Sequence, residues 1–208
     1  MGFTSLWIKS VSFLYKEFGK EALPYIYQFI EGLEQLYQTA YSVYKVYQST
    51  TARPKSGKNI PLKLVHMADP HLNCLPSLHV MIASYTLIRI NSFLDFLAPD
   101  SDKYSKERKY LFFTAVRIID SVLFLKQHSV NCIPAGLFAL RSAVKDFPEE
   151  LPYQIAEKML NTSRISRSSK KTIEHYMVEL YKAFLEKSKH INDTDVLIDF
   201  LQNYRQIG

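Results

Sequence analysis

An all-α fold is what this sequence predicts. Three observations carry the prediction: apolar residues recur at three- and four-residue steps over long segments, 27 Tyr and Phe stand against six Gly, and Pro and Gly gather in a stretch without periodicity between them. Aromatic-rich, glycine-poor chains build long packed helices more readily than turn-rich sheets.

The first helix runs from about Ser5 to Phe18, where Gly19 supplies a stop and Pro24 suits the first turn of the next. In that second helix Leu33, Leu36, Tyr37, Ala40, Tyr41, Tyr44 and Tyr47 form a stripe, read as packing rather than as an aromatic platform. From Thr51 to Pro76 the composition turns to Pro, Gly, Lys and Asn without periodicity, which reads as a loop leading into a helix from Leu78 to Leu97. Ala98-Pro99-Asp100 interrupts, and periodicity resumes from about Lys106 to Gln127. Pro134 opens a helix to about Lys145, and shorter ones are expected at 151–160, 172–189 and 195–204, with a polar linker from Asn161 to Lys171. The boundaries give a core at 1–148 and a C-terminal helical extension at 149–208 packed on it or linked to it.

At 208 residues, with 47% hydrophobic and 22% charged residues, the chain has the composition of a folded domain and not of a disordered one. Its net charge of +6 favours anionic partners: phosphate groups, acidic lipid or nucleic acid. Two cysteines, Cys74 and Cys132, support neither a disulfide framework nor a zinc ribbon. The start lacks the pattern of a signal peptide, and Arg89 and Asp95 interrupt one apolar segment while Arg117 and Asp120 interrupt the other. The expectation is a cytoplasmic or peripheral membrane protein without a span. His66, Asp69, His71 and Cys74 crowd one loop but match no standard metal spacing and read as exposed loop residues. Residues 163–171 are basic enough to touch phosphate or acidic lipid, read as a mobile charged linker, and lack the interleaved aromatics of a single-strand nucleic-acid platform.

Two segments carry chemistry. Pro76-Ser77-Leu78-His79 sits where a loop becomes a helix, with Ser77 placed to cap it; free amides and the macrodipole at such a start favour an anion, and His79 stands beside it as a proton donor. The second runs from Ser121 to His128, seven residues and two helical turns apart on one face, with Cys132 one turn further if the helix continues. Taken singly, each segment is read more plainly: the first as a capped helix with an incidental His, the second as a structural His at a helix end.

Together they resemble the second and third motifs of the type 2 phosphatidic acid phosphatase superfamily, which includes class A bacterial acid phosphatases and vanadium haloperoxidases. Pro76, Ser77 and His79 match Pro-Ser-x-His; Ser121 and His128 match the Ser and His of the third motif at the family's separation, and Lys126-Gln127-His128 with Ala135-Gly136 is similar to bacterial membrane-bound members. The resemblance covers roughly residues 45–136. It implies a helical bundle in which His128 attacks phosphorus to form a phosphohistidine and His79 protonates the leaving oxygen. It also implies that Arg53, Lys126, Ser121 and the helix start at Ser77 and Leu78 hold the phosphate oxygens, with no metal and no cofactor.

The departures bear on turnover. The family's Arg after Ser is Val122, and the Asp that orients the nucleophilic imidazole is Cys132, with Asp120 or a backbone carbonyl as substitutes. The first motif is approximated by Lys45 and Arg53-Pro54 with one extra residue between them; Lys55, Lys58 and Lys63 are alternatives to Arg53. The expected function is a phosphatase or phosphotransferase acting on a phosphomonoester or lipid phosphate, with a phosphate-containing small molecule or lipid headgroup as partner, peripheral membrane contact compatible, and no nucleic acid. Two alternatives stand beside it: a catalytically impaired phosphate- or phospholipid-binding protein of the same fold, and a helical interaction protein.

Overall fold

The computed structural model describes residues 3–44, 57–68, 74–99, 102–125, 128–161 and 165–204, and among these all regular structure is helical. The helices are α1 (Phe3–Phe18), α2 (Leu23–Gln38), α3 (Ile60–Ala68), α4 (Leu78–Leu97), α5 (Ser105–Phe124), α6 (Cys132–Ala143), α7 (Leu151–Lys158), α8 (Arg167–Lys187) and α9 (Asp193–Asn203). Gly19 does end α1, at φ +58°, a conformation that costs a residue with a Cβ about 1 kcal/mol or more, and a 3-10 turn over Gly19–Ala22 leads into α2 with Pro24 in its first turn. Of the predicted stripe, which passes from α2 into a π-helical turn at Thr39–Val43, Leu33, Leu36, Ala40 and Tyr44 are buried and Tyr41 is exposed, so packing is its role; Tyr47 lies outside the described residues.

The centre of the fold is α4, which packs against α1, α2, α5 and α6. Its run from Val80 to Ile88 is buried on every side, Ser84 and Thr86 included, so the segment packs all round rather than along one face. Among the described residues α4 is also the one helix long and apolar enough to cross a membrane, which corrects the expectation that its charges exclude this. Arg89 and Asp95 fall in its C-terminal half and leave a long apolar window, 67% of which is buried inside the bundle. A core helix and a span satisfy the same pattern, and here neighbouring helices cover most of it.

Three further expectations are corrected. Residues 60–68 of the supposed loop form α3: Pro61 is tolerated in a first turn, and the Lys63 amide bonds to the Asn59 carbonyl at 3.0 Å. The expected linker at 161–171 is helical from Arg167, where the Ser166 hydroxyl accepts from the Ser169 amide at 3.1 Å; the Lys170 ammonium reaches Asn161 and the Glu157 carbonyl. Finally, α6 begins at Cys132 rather than at Pro134, which sits in its first turn.

The C-terminal helices share the core. Met177, Tyr181 and Phe184 of α8 and Val196 and Leu197 of α9 belong to the same buried cluster as α4 and α6, and the Phe138 and Phe184 rings lie 5.5 Å apart.

Candidate functional site

His79 occupies the second position of α4, and its placement follows from the helix start. Ser77 is fully buried at the N-cap, its hydroxyl accepts from the Val80 amide at 3.5 Å, and its carbonyl accepts the Met81 amide at 3.0 Å. Leu75 and Pro76, joined by a cis peptide bond, are buried with it, so the chain entering α4 is fixed in the core rather than hanging from it. The cross-over of α6 tightens the same point. A Cβ on Gly136 would stand 3.0 Å from the Val80 Cβ and 3.1 Å from the Ser77 carbonyl oxygen, so only glycine lets α6 approach the first turn of α4 this closely.

His128 reaches the same place from the other strand of the hairpin. The α4–α5 pair runs out and back, which returns the end of α5 to the start of α4, and the rings of His79 and His128 meet at 5.4 Å between centroids, inclined by 72°. The two histidines singled out by the motifs are thus partners in space.

The route differs from the expected one. The α-helix ends at Phe124; the Leu125 amide closes the last turn on the Ser121 carbonyl, and the His128 amide bonds to the Val122 carbonyl at 3.2 Å. His128 therefore lies in the connection between α5 and α6, not two turns along one face from Ser121. The Ser121 hydroxyl donates to the Ile118 carbonyl at 2.6 Å, a bond within its own helix. Cys132 likewise is not one turn beyond His128 on a continuing helix. It begins α6, is fully buried, and its sulfur lies 3.4 Å from the Ser129 hydroxyl; burial pushes its thiol up to about 11.

The imidazole of His128 has an orienting partner all the same. Its Nδ1 is 3.2 Å from the Cys74 carbonyl oxygen. A carbonyl only accepts, so Nδ1 carries the proton, which fixes the tautomer and makes Nε2 the nitrogen with a lone pair to use. Of the two substitutes the sequence offered for a carboxylate, the backbone carbonyl is the one within hydrogen-bond distance of His128. Asp120 is committed elsewhere: both its oxygens accept from the Leu160 amide, at 3.0 and 3.1 Å. Burial raises its carboxyl above the usual range, opposed by that hydrogen bond and by Lys170.

Two groups that sequence reasoning missed support the turn. Asn131, buried just before α6, accepts a 2.5 Å hydrogen bond from the hydroxyl of Tyr176 on α8. The pair is 45 residues apart with no shared motif, so no local pattern announces it. Ser129, beside His128, is the other.

Arg53 and Lys126, expected to hold phosphate, lie outside the described residues, as do Lys45, Lys55, Asp69 and His71, and nothing is described of the His66 side chain; Lys58 and Lys63 are described and exposed. Among the described residues no group of three or more His, Cys, Asp or Glu could hold a metal ion, and Cys74, expected in an exposed loop, is buried. Val122, where the resemblance expects an Arg, faces the core with no exposure. No family model matches this chain, and neither a curated protein nor a solved structure matches it.

Proposed function

We propose that the protein is a phosphatase or phosphotransferase of the type 2 phosphatidic acid phosphatase and vanadium haloperoxidase kind, acting on a phosphomonoester or lipid phosphate. The observation that carries this reading is the pairing of His79 and His128 at 5.4 Å beside the capped start of α4. Two imidazoles at this separation can flank one phosphoryl group. The amides that a helix cannot satisfy from within are those of its first turn; Ser77 takes that of Val80, and those of Leu78 and His79, with the α4 dipole, are assigned to the phosphate oxygens.

In the proposed reaction Nε2 of His128, its Nδ1 proton held by the Cys74 carbonyl, attacks phosphorus in line with the leaving oxygen. A P–N bond forms as the P–O bond breaks, and His79 gives its proton to the departing alkoxide. Water or an acceptor alcohol then yields a proton to His79 and attacks phosphorus, the P–N bond breaks, and His128 is regenerated. Arg53 and Lys126 are the basic groups assigned to the equatorial oxygens.

Val122 and Cys132 favour a second reading, a phosphate-binding protein with impaired turnover. Both are fully buried apolar or neutral groups where a cation and a carboxylate are expected, so one clamp and one orienting charge are missing. One experiment separates the readings. Purified protein is assayed for hydrolysis of p-nitrophenyl phosphate and phosphatidic acid with and without vanadate, beside His79→Ala and His128→Ala. Vanadate-sensitive turnover lost by at least about a hundredfold in both variants supports catalysis. Vanadate-induced thermal stabilisation without turnover supports the binding protein. Neither turnover nor stabilisation would leave both histidines incidental.

A further inference from the structure

The helix α3 is built unlike any other in the fold. Every side chain described on it is exposed: Ile60 at 67%, Leu64 at 61% and Met67 at 80%, with Pro61 and Lys63 beside them. At about 100° per residue, Ile60, Leu64 and Met67 fall within roughly 60° of one another, so the three form one apolar ridge turned to solvent, with Lys63 on its border. Large apolar side chains grouped in this way mark a contact surface, because a soluble face gains nothing by carrying them.

The charge of the sequence that leads into and through α3 says what that surface meets. Residues 45–68 include Lys45, Arg53, Lys55, Lys58 and Lys63 and not one Asp or Glu, so this stretch alone carries +5 of the chain's +6. A protein groove that received an apolar helix would be served by the ridge alone. A ridge of Ile, Leu and Met with Lys63 on its border, following a run of like positive charge in the sequence, suits a helix that lies in the interface of an anionic bilayer, its apolar ridge among the acyl chains and Lys63 among the headgroups.

We propose that α3 is an interfacial anchor that docks the chain on an anionic lipid surface. Its position is suited to that task, because only nine residues separate the end of α3 from His79's helix, and nine extended residues span at most about 30 Å. The docked helix would thus keep the start of α4 within that reach of the headgroup layer. The inference rests on exposure and charge, independently of the phosphatase reading, and adds to it the side from which a lipid phosphate would arrive.

The test is co-sedimentation of the full chain with phosphatidylcholine vesicles with and without phosphatidylserine, at low and high salt. The expected result is binding that requires phosphatidylserine and weakens with salt. It should fall about tenfold or more in Leu64→Glu/Met67→Glu, fall less in Lys63→Glu, and persist in Tyr27→Glu, an equally exposed aromatic on α2. No binding to phosphatidylserine vesicles, or binding indifferent to the α3 changes, overturns the proposal. So does a concentration-dependent dimer in sedimentation velocity, without vesicle binding, that Leu64→Glu/Met67→Glu dissolves, since the ridge would then serve a second copy. The two proposals fail separately: His128→Ala tests turnover and should leave vesicle binding intact, whereas Leu64→Glu/Met67→Glu should weaken binding to that extent and leave hydrolysis of soluble p-nitrophenyl phosphate intact.

Discussion

Cys132 stands where the resemblance calls for a carboxylate, and restoring that carboxylate looks at first like a gain. Had α5 continued through His128, Cys132→Asp would lie one turn beyond the imidazole and orient it. The structure removes the premise: Cys132 is the first residue of α6, fully buried, and the His128 Nδ1 is already held by the Cys74 carbonyl. An Asp there gains at most the Ser129 hydroxyl as partner and loses its hydration. The expected outcome is a loss of about 3 kcal/mol or more in urea unfolding at neutral pH, with no rise in turnover. Burial raises the pKa of such an Asp, so the loss is smallest below the ordinary carboxylate value and grows as pH rises through the folded-state one. Tenfold higher phosphatase activity in a stably folded Cys132→Asp variant would show that the carboxylate does reach His128.

Single contacts tie whole elements together, and the sequence discloses them unevenly. Leu160, just past α7, takes a left-handed backbone (φ 61°) although it carries a side chain, and the amide that this conformation presents is the one both Asp120 oxygens accept. Asp120→Ala leaves that buried amide without its acceptor and should cost about 1–3 kcal/mol by chemical denaturation. Asp120→Asn keeps an acceptor and sheds the desolvated charge. Because the folded carboxyl titrates above its ordinary value, wild-type stability from this site is present in full at low pH and is lost as pH rises through the raised pKa. The Asn variant should therefore gain on wild type between pH 3 and pH 7, and a constant difference across that range would remove burial as the cause. Between α6 and α4, Gly136→Ala sets a helix-propensity gain of about 1 kcal/mol against a 3.1 Å approach to the Ser77 backbone. The clash should win by about 1–2 kcal/mol in the thermal midpoint, since backbone yields less than a side-chain tip. Such ties explain what was legible. Both ends of α4 were readable because Ser77 and Ala98-Pro99 are local signals, and the His79–His128 pair because two motifs named it. The break after Phe124 was not, since 125–131 holds neither Gly nor Pro and the connection is shaped by tertiary contacts such as the Cys74 carbonyl. Nor was α3, because a helix whose apolar ridge faces solvent need not show the periodicity that burial imposes on the others.

At the scale of the molecule, the helices beyond residue 148 lie outside the motif resemblance yet complete the core that carries the site. α6 is held between two layers: Gly136 seats it on the first turn of α4, while Phe138 packs on Phe184 of α8, which in turn meets Phe200 of α9. The turn bearing His128 leads straight into α6, and its last residue before the helix, Asn131, is held by Tyr176 of α8. A displacement of α8 therefore reaches His128 through three residues of chain and one hydrogen bond. Two changes separate the support of the fold from the support of the turn. Ending the chain at residue 148 strips Phe138, Ile133 and Leu137 of their cover and should abolish cooperative unfolding, read as a broad thermal transition with dye-binding apolar surface. Tyr176→Phe leaves every apolar contact in place and removes one hydroxyl, so it should cost only about 1 kcal/mol of stability. If Tyr176 positions the turn, the same variant should lower kcat for p-nitrophenyl phosphate several-fold, because a misplacement of about 1 Å at a reacting group is costly. Asn131→Ala should then lower it to the same extent, and the double variant no further, since both remove one interaction. Wild-type kcat in Tyr176→Phe, with the expected small loss of stability, would confine α8 to packing and leave the turn to be set by the Cys74 carbonyl and the start of α6.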